Sequence, residues 1–330
     1  MPDHVFVLNE SNYRVCIHRG IVGLPEAAHD SKNRLATNDA LLSRMAIVRE
    51  GDYILFYITG EKELHGVWKA VGEPFYDDIR VWDNEDKLYP FRFRIESTEF
   101  CFDKPLRLND VYDLINSGKI WSWSLSRASG TNAMFSISNF EFDTLLQEYI
   151  KINPFTINRK IIMEPYPVKS ANLFEQVSRV NDGKLPRYEA SLMSLLHKAF
   201  VDGDFQDIFG NYTDYLSYIP TTLGTEIDSL LFFSNPRDVR QITSYDIVEV
   251  KLDRFKRDSL QQIINYESWF THKKVHGDIN MVRVSAIAKR FDPDVIDYVQ
   301  KRKVIEGKEI KLFQYDVSDN GKLTLKKIKV

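Results

Sequence analysis

At 330 residues the chain exceeds the ~100–200 of an ordinary single domain, and 43% hydrophobic and 28% charged residues with only 15 Gly and 12 Pro exclude a disordered, collagen-like or low-complexity protein. A formal charge of −3, from 44 basic against 47 acidic side chains, excludes a global positive field, so a nucleic-acid or membrane role requires a local patch. Two cysteines, Cys16 and Cys101, are too few for a disulfide framework or structural zinc, which fits a reducing cytoplasmic setting; no signal-like start or membrane-spanning apolar run is visible.

From Val5 to about Tyr149 short apolar runs are bounded by turn residues: Val5–Leu8, Tyr53–Ile58, Gly66–Val71 and Phe91–Ile95. Their length and their β-branched and aromatic content predict strands, with a hairpin turn at Thr59–Lys62. Helical spacing appears at Asn38–Val48 and Phe142–Ile150. Proline-rich sequence from Ile152 to Pro167 breaks the periodicity, so the domains are expected at 1–152 and 185–330, joined by a linker over 153–184. Beyond it, helices at Tyr188–Phe200, Ser259–Phe270 and Pro293–Arg302 alternate with strands at Glu226–Phe233, Asp246–Leu252, Met281–Ala288 and Ile310–Val317, the pattern of an α/β sheet.

The second half carries the loudest chemistry. On a strand, residues two apart face one side, so Glu249 and Lys251 project together while Val248 and Val250 face the other way. If the strand holding Asp228 pairs alongside, two carboxylates meet a lysine, an oxygen-rich arrangement suited to Mg²⁺ or Mn²⁺. An isolated Glu-x-Lys is more often a solvated pair on a strand face. Here Gln262 and Tyr266, four apart on the following helix, add an amide and a phenol on one side.

Over roughly residues 185–317 this ordered set resembles the PD-(D/E)XK nuclease superfamily, in its NucS/EndoMS type. The resemblance implies that Asp228 and Glu249 are metal ligands, Lys251 is catalytic, Glu189 is an auxiliary acid, and Gln262 lies near the scissile phosphate. Glu226 departs from the family pattern and is expected at the surface. Arg254, Lys256 and Arg257 form a basic loop after the strand, equally readable as a phosphate contact or as a solvated helix entrance.

In the first half Asn12–Leu24, Gly51–Tyr57, Gly66–Asp78 and Leu88–Ile95 resemble the EVE domain, a PUA-like relative of YTH domains. This implies an α+β, PUA-like β-barrel domain that holds a modified nucleobase against an aromatic wall. Trp82 matches the family's aromatic position after Tyr-Asp-Asp, and Trp121 and Trp123 alternate on what reads as an extended segment; each tryptophan also has a reading as core. Asn9, Ser11 and Asn12 are candidates for the base edge, or turn residues, and Arg127 is a candidate phosphate contact. Val22 stands where the family often carries a tryptophan.

Joined in one chain, reader and cutter imply a modification-dependent restriction endonuclease acting on double-stranded DNA, with two active sites supplied by a homodimer. The alternatives are a mismatch- or structure-specific NucS/EndoMS-like endonuclease, or a non-catalytic nucleic-acid-binding protein with a relict nuclease fold.

Overall fold

The computed structural model describes residues 2–28, 30–82, 87–100, 102–123, 133–155, 164–168, 172–174, 186–318 and 321–330. The chain divides into two compact units, Met1–Leu185 and Pro186–Val330, each of mixed α+β composition and each built on one sheet.

The first unit contains β1 (Asp3–Leu8), α1 (Glu10–Arg19), β2 (Ile21–Leu24), α2 (Arg34–Met45), β3 (Tyr53–Ile58), β4 (Glu63–Tyr76), β5 (Phe91–Ser97), β6 (Leu106–Arg107), α3 (Leu108–Asn116), β7 (Met134–Ile137) and α4 (Asn139–Ile152). Its seven-stranded sheet runs β2-β5-β4-β3-β1-β7, with β6 paired to β4. Among the described residues β2 and β7 end that path unpaired with one another, so the expected barrel is not closed. Alternation along the strands explains the packing: Phe6, Ile54 and Phe56 enter one core, and Val5, Leu55 and Tyr57 enter a second on the opposite face. Both faces are therefore covered, and β1 and β3 read as continuous apolar runs.

Helix α1 replaces the turn expected around Asn9–Asn12. Asn9 caps it, its side chain accepting from the Asn12 backbone N–H at 2.8 Å, and Gly20 ends it in the left-handed conformation at φ 62°. Where it is described, the segment expected as a linker over 153–184 packs within the first unit. Tyr166 and Leu173 are buried in the first core, the Tyr166 backbone N–H donates to the Arg19 carbonyl, and Tyr166 Oη donates to Asp77 at 2.7 Å. An aromatic and an aliphatic side chain with a core to enter outweigh the proline signal that reads as a connector.

The second unit contains α5 (Glu189–Asp202), α6 (Gln206–Phe209), β8 (Asp214–Pro220), β9 (Glu226–Asn235), β10 (Asp238–Phe255), α7 (Arg257–Lys274), a 3₁₀ turn (Ile279–Met281), β11 (Val282–Phe291), α8 (Pro293–Glu306), β12 (Ile310–Val317) and β13 (Leu323–Lys327). The sheet order is β13-β12-β11-β10-β9-β8. β10, β11 and β12 are mutually parallel, joined by the crossover helices α7 and α8, while the outer pairs are antiparallel. Ile247–Val250 is buried without a break, as expected of a central strand covered on both faces. α8 opens on Pro293 and stops at left-handed Gly307, the asymmetry that pre-set φ and a missing Cβ favour.

No helix among the described residues is long and apolar enough to cross a membrane.

Candidate active site

β9 and β10 pair antiparallel with Val248 opposite Ser229 and Ile247 opposite Leu230. Continuing that register by one residue sets Asp228 across from Glu249, and directly opposed residues share a face. The side chains meet around the backbone of Val250. Asp228 Oδ2 accepts from the Val250 backbone N–H at 2.8 Å, while Lys251 Nζ donates to Glu249 Oε1 at 2.8 Å and to the Val250 carbonyl at 3.0 Å. From the first turn of α5, Glu189 Oε1 approaches Lys251 Nζ at 3.4 Å.

Burial makes this arrangement electrostatically tense. Glu249 is 0% exposed and its Oε2 has no hydrogen-bond partner. Removal from water, followed by the charge of Glu249, holds the Asp228 carboxyl well above the usual range; removal from water likewise raises Glu249. Burial also opposes the Lys251 ammonium, but Asp228, Glu249 and Glu189 together outweigh it and raise its pKa. Glu249 Oε2 thus lacks a donor, and a bare buried carboxylate oxygen is costly to keep.

Gln262 does not reach this cluster by any hydrogen bond; it braces it. Its Nε2 donates to Tyr266 Oη at 2.7 Å, and Tyr266 Oη donates to the Glu226 carbonyl at 2.7 Å, two residues before Asp228. The fully buried Tyr266 ring therefore locks the start of β9 to α7. Sequence spacing identified the Gln262–Tyr266 pair, but the bond to a main-chain carbonyl has no signature in side-chain identity. Glu226 itself is half-buried.

The expected basic loop is not a loop. Arg254 still lies on β10 and pairs with Asp292 at 3.3 Å, Lys256 is the N-cap residue of α7, and Arg257 is its first residue. β10 outruns the expected strand because its pairing with β11 continues to Phe255, opposite Phe291. Lys256 and Arg257 are exposed at a helix N-terminus, where the backbone dipole adds to their charge.

In the first unit Trp82 does not wall an open concavity. It is 2% exposed, its ring centroid lies 4.9 Å from that of Tyr89, and the Arg92 guanidinium sits 5.3 Å from the ring. Gly23 makes the space: a Cβ there would fall 2.7 Å from Trp82 Cη2. Val22 is fully buried and pairs with Phe93. Trp123 is buried edge-on to Phe135, while Trp121 is half-buried and donates its backbone N–H to Glu141. Asn9 and Ser11 are exposed in the first turn of α1, and Asn12 Nδ2 donates to Tyr89 Oη at 3.1 Å. Arg127 lies outside the described residues. A group absent from the sequence reading is Glu61, Glu63 and His65, whose ligand atoms lie within 4.8 Å of one another on the β3–β4 hairpin.

The Asp228–Glu249 pair fits a hard divalent cation: its donors are carboxylate oxygens, and one of them is buried and bare. Asp228 and Glu249 would hold the ion.

No protein-family model matches the chain, and no curated protein matches its sequence. Similar solved structures include EndoMS in complex with double-stranded DNA, at 14% identity and TM-score 0.24 over 36% of this chain and 44% of that one. A repair endonuclease from Pyrococcus abyssi is similar at 13% identity and TM-score 0.26, over 36% and 46% of the two chains. Human THYN1, in complex with DNA containing 5-methylcytosine, is similar at 15% identity and TM-score 0.30, over 45% of this chain and 98% of that one. The matches span under half of the length of both nucleases. Likeness at this level carries no activity from those proteins to this one.

Proposed function

We propose that the chain is a divalent-metal-dependent endonuclease that hydrolyses phosphodiester bonds in DNA. The observation that carries this reading is the buried, unpartnered Oε2 of Glu249 beside Asp228, with Lys251 as the cation in hydrogen-bond contact with Glu249. A bound Mg²⁺ or Mn²⁺ supplies Lewis acidity to the phosphate and lowers the pKa of water. The residues of the chain do the rest. Asp228 and Glu249 provide the ligand oxygens, and Asp228 is held in place by the Val250 N–H. Lys251 carries positive charge to the phosphate and orients the attacking water, with Glu189 steadying its ammonium from α5. Tyr266 and Gln262 keep β9 in register with the site. Lys256 and Arg257 meet the DNA backbone at the head of α7.

The finer reading is modification-dependent restriction, with the first unit sensing a modified base in duplex DNA and a homodimer supplying two cutting sites. Because Trp82 is closed by Tyr89 and Arg92, base contact in this reading falls to side chains other than Trp82. The test is cleavage by the purified full chain, with Mg²⁺ or Mn²⁺, of matched duplexes that are unmodified, base-modified, mismatched or branched. Cutting of modified duplex alone, abolished in Lys251→Ala, is the expected result. Equal cutting of modified and unmodified DNA removes the sensing role, preference for mismatches favours the NucS/EndoMS-like alternative, and binding without any metal-dependent cutting overturns the enzyme reading.

A further inference from the structure

A second cluster of charged side chains lies elsewhere in the second unit. A cleft of about 210 Å³ is lined by the first residues of β11 (Val282–Val284), by Gly307–Glu309 and Lys311 at the entry to β12, and by Ile279, Asn280 and Glu267. Val284 pairs with Ile310 at this end, whereas Glu249 and Lys251 lie beside Ala286 and Ala288, so the cleft is about two to six residues, or roughly 7–20 Å, back along the strands. Arg283 is also on the face opposite to Glu249: it registers with Asp246, three residues before Glu249 on an unbroken strand.

Three cations line this cleft, Arg283, Lys308 and Lys311. The acids in its wall are already engaged, Glu267 by Arg302 at 2.5 Å and Glu309 by Lys327 at 3.0 Å. Asp246, fully buried behind the cleft, stands 4.0 Å from Arg283 and 3.9 Å from Lys311, beyond hydrogen-bond reach of either. Asp246 thus offsets part of their charge without hydrogen bonding to them, and both of its own oxygens lack a hydrogen-bond partner. Nε and Nη2 of Arg283 and Nζ of Lys308 are all out of water with no hydrogen-bond partner. The Arg283 guanidinium is held over the Phe233 ring at 3.5 Å, which fixes its plane. Unpartnered buried donors on two charged side chains in one cleft call for an anionic acceptor.

We propose that this cleft is a second anion site, one that binds a phosphate group between Arg283, Lys308 and Lys311, separate from the acid–lysine cluster. Its volume decides the size of the ligand. Pockets for drug-sized molecules run ~300–1,000 Å³, so about 210 Å³ suits a phosphate monoester head rather than a buried whole nucleotide. A planar arginine and two lysines offer donors enough for the three oxygens of a terminal phosphate. The group arrives either as free phosphate or at the end of a nucleic-acid strand.

The test is titration of the metal-free full chain with inorganic phosphate, a nucleoside 5′-monophosphate and a 5′-phosphorylated oligonucleotide, followed by calorimetry against chloride at matched ionic strength. Saturable binding is expected, at least tenfold weaker in Lys308→Gln and in Lys311→Gln, with circular dichroism and thermal unfolding verifying that each variant is folded. Tighter binding of the oligonucleotide than of its unphosphorylated counterpart assigns the site to strand ends; equal affinity for all three phosphates assigns it to the free ion. No binding above the chloride control, or binding undiminished in both lysine variants, overturns the proposal.

Discussion

Two glutamates, one in each unit, are both 0% exposed and yet live in opposite circumstances. Glu141 in the first unit accepts from the backbone N–H of Trp121, Ser122 and Ser138 and from the hydroxyls of Ser122 and Ser138, at 2.6 to 3.0 Å. Glu249 in the second unit accepts from Lys251 alone, and its other oxygen is bare. The first carboxylate is saturated and holds a loop onto α4. The second is buried without the donors that would make burial comfortable. A saturated buried acid is explained by the fold that surrounds it; an undersupplied one points to a ligand.

Substituting each by glutamine sharpens the contrast. Glu249→Gln is expected to lower metal-dependent cleavage by about 10³-fold, roughly 4 kcal/mol of barrier, while leaving the melting temperature level or higher, because a charge with poor support has been removed. Glu141→Gln is expected to leave the chemistry of a cleavage assay intact in whatever fraction stays folded, and to cost about 3 kcal/mol in denaturant unfolding. Its new NH₂ faces donors where acceptors are needed. Equal stability losses in the two variants would break the comparison.

Asp246 extends the contrast to pH. Burial raises its carboxyl from 3.8 to about 6 against the pull of Lys311, Arg283 and Ser285. A folded-state pKa above the unfolded value means that the native state holds the proton more tightly. Stability from this group is therefore fullest below about pH 3.8 and declines as pH rises through about 6, by at most ~3 kcal/mol. Asp246→Asn is expected to flatten that part of the stability profile between pH 4 and 7; an unaltered slope in urea unfolding contradicts it. The smallest effect belongs to Tyr266→Phe, which loses the bond to the Glu226 carbonyl and the bond from Gln262 Nε2, costing about 2 kcal/mol, and lets β9 drift, so cleavage falls about tenfold.

The parts of the site that alternate on a strand were legible in the sequence. Glu249 and Lys251 share a face because the strand period is two, and Asp228 joins them once β9 and β10 pair. The contacts that route through main chain were not legible: the Val250 N–H and the Glu226 carbonyl carry no side-chain signature. Helix α1 has a weak sequence signal because Val15, Ile17 and Tyr13 are β-branched or aromatic and Cys16 alone among its residues is fully buried. Trp82 shows a different limit. A tryptophan beside a turn reads equally well as wall or as core, and the absence of a Cβ at Gly23, on another strand, is what lets the ring pack inward. The segment holding Tyr166 and Leu173 reads as a connector from its prolines, although its buried side chains complete the first core.

Anomalous diffraction from crystals of the full chain soaked in Mn²⁺ tests the central claim most directly. The account predicts a peak between Asp228 and Oε2 of Glu249, lost in Asp228→Asn. A peak confined to Glu61, Glu63 and His65, or no peak at either place, contradicts it.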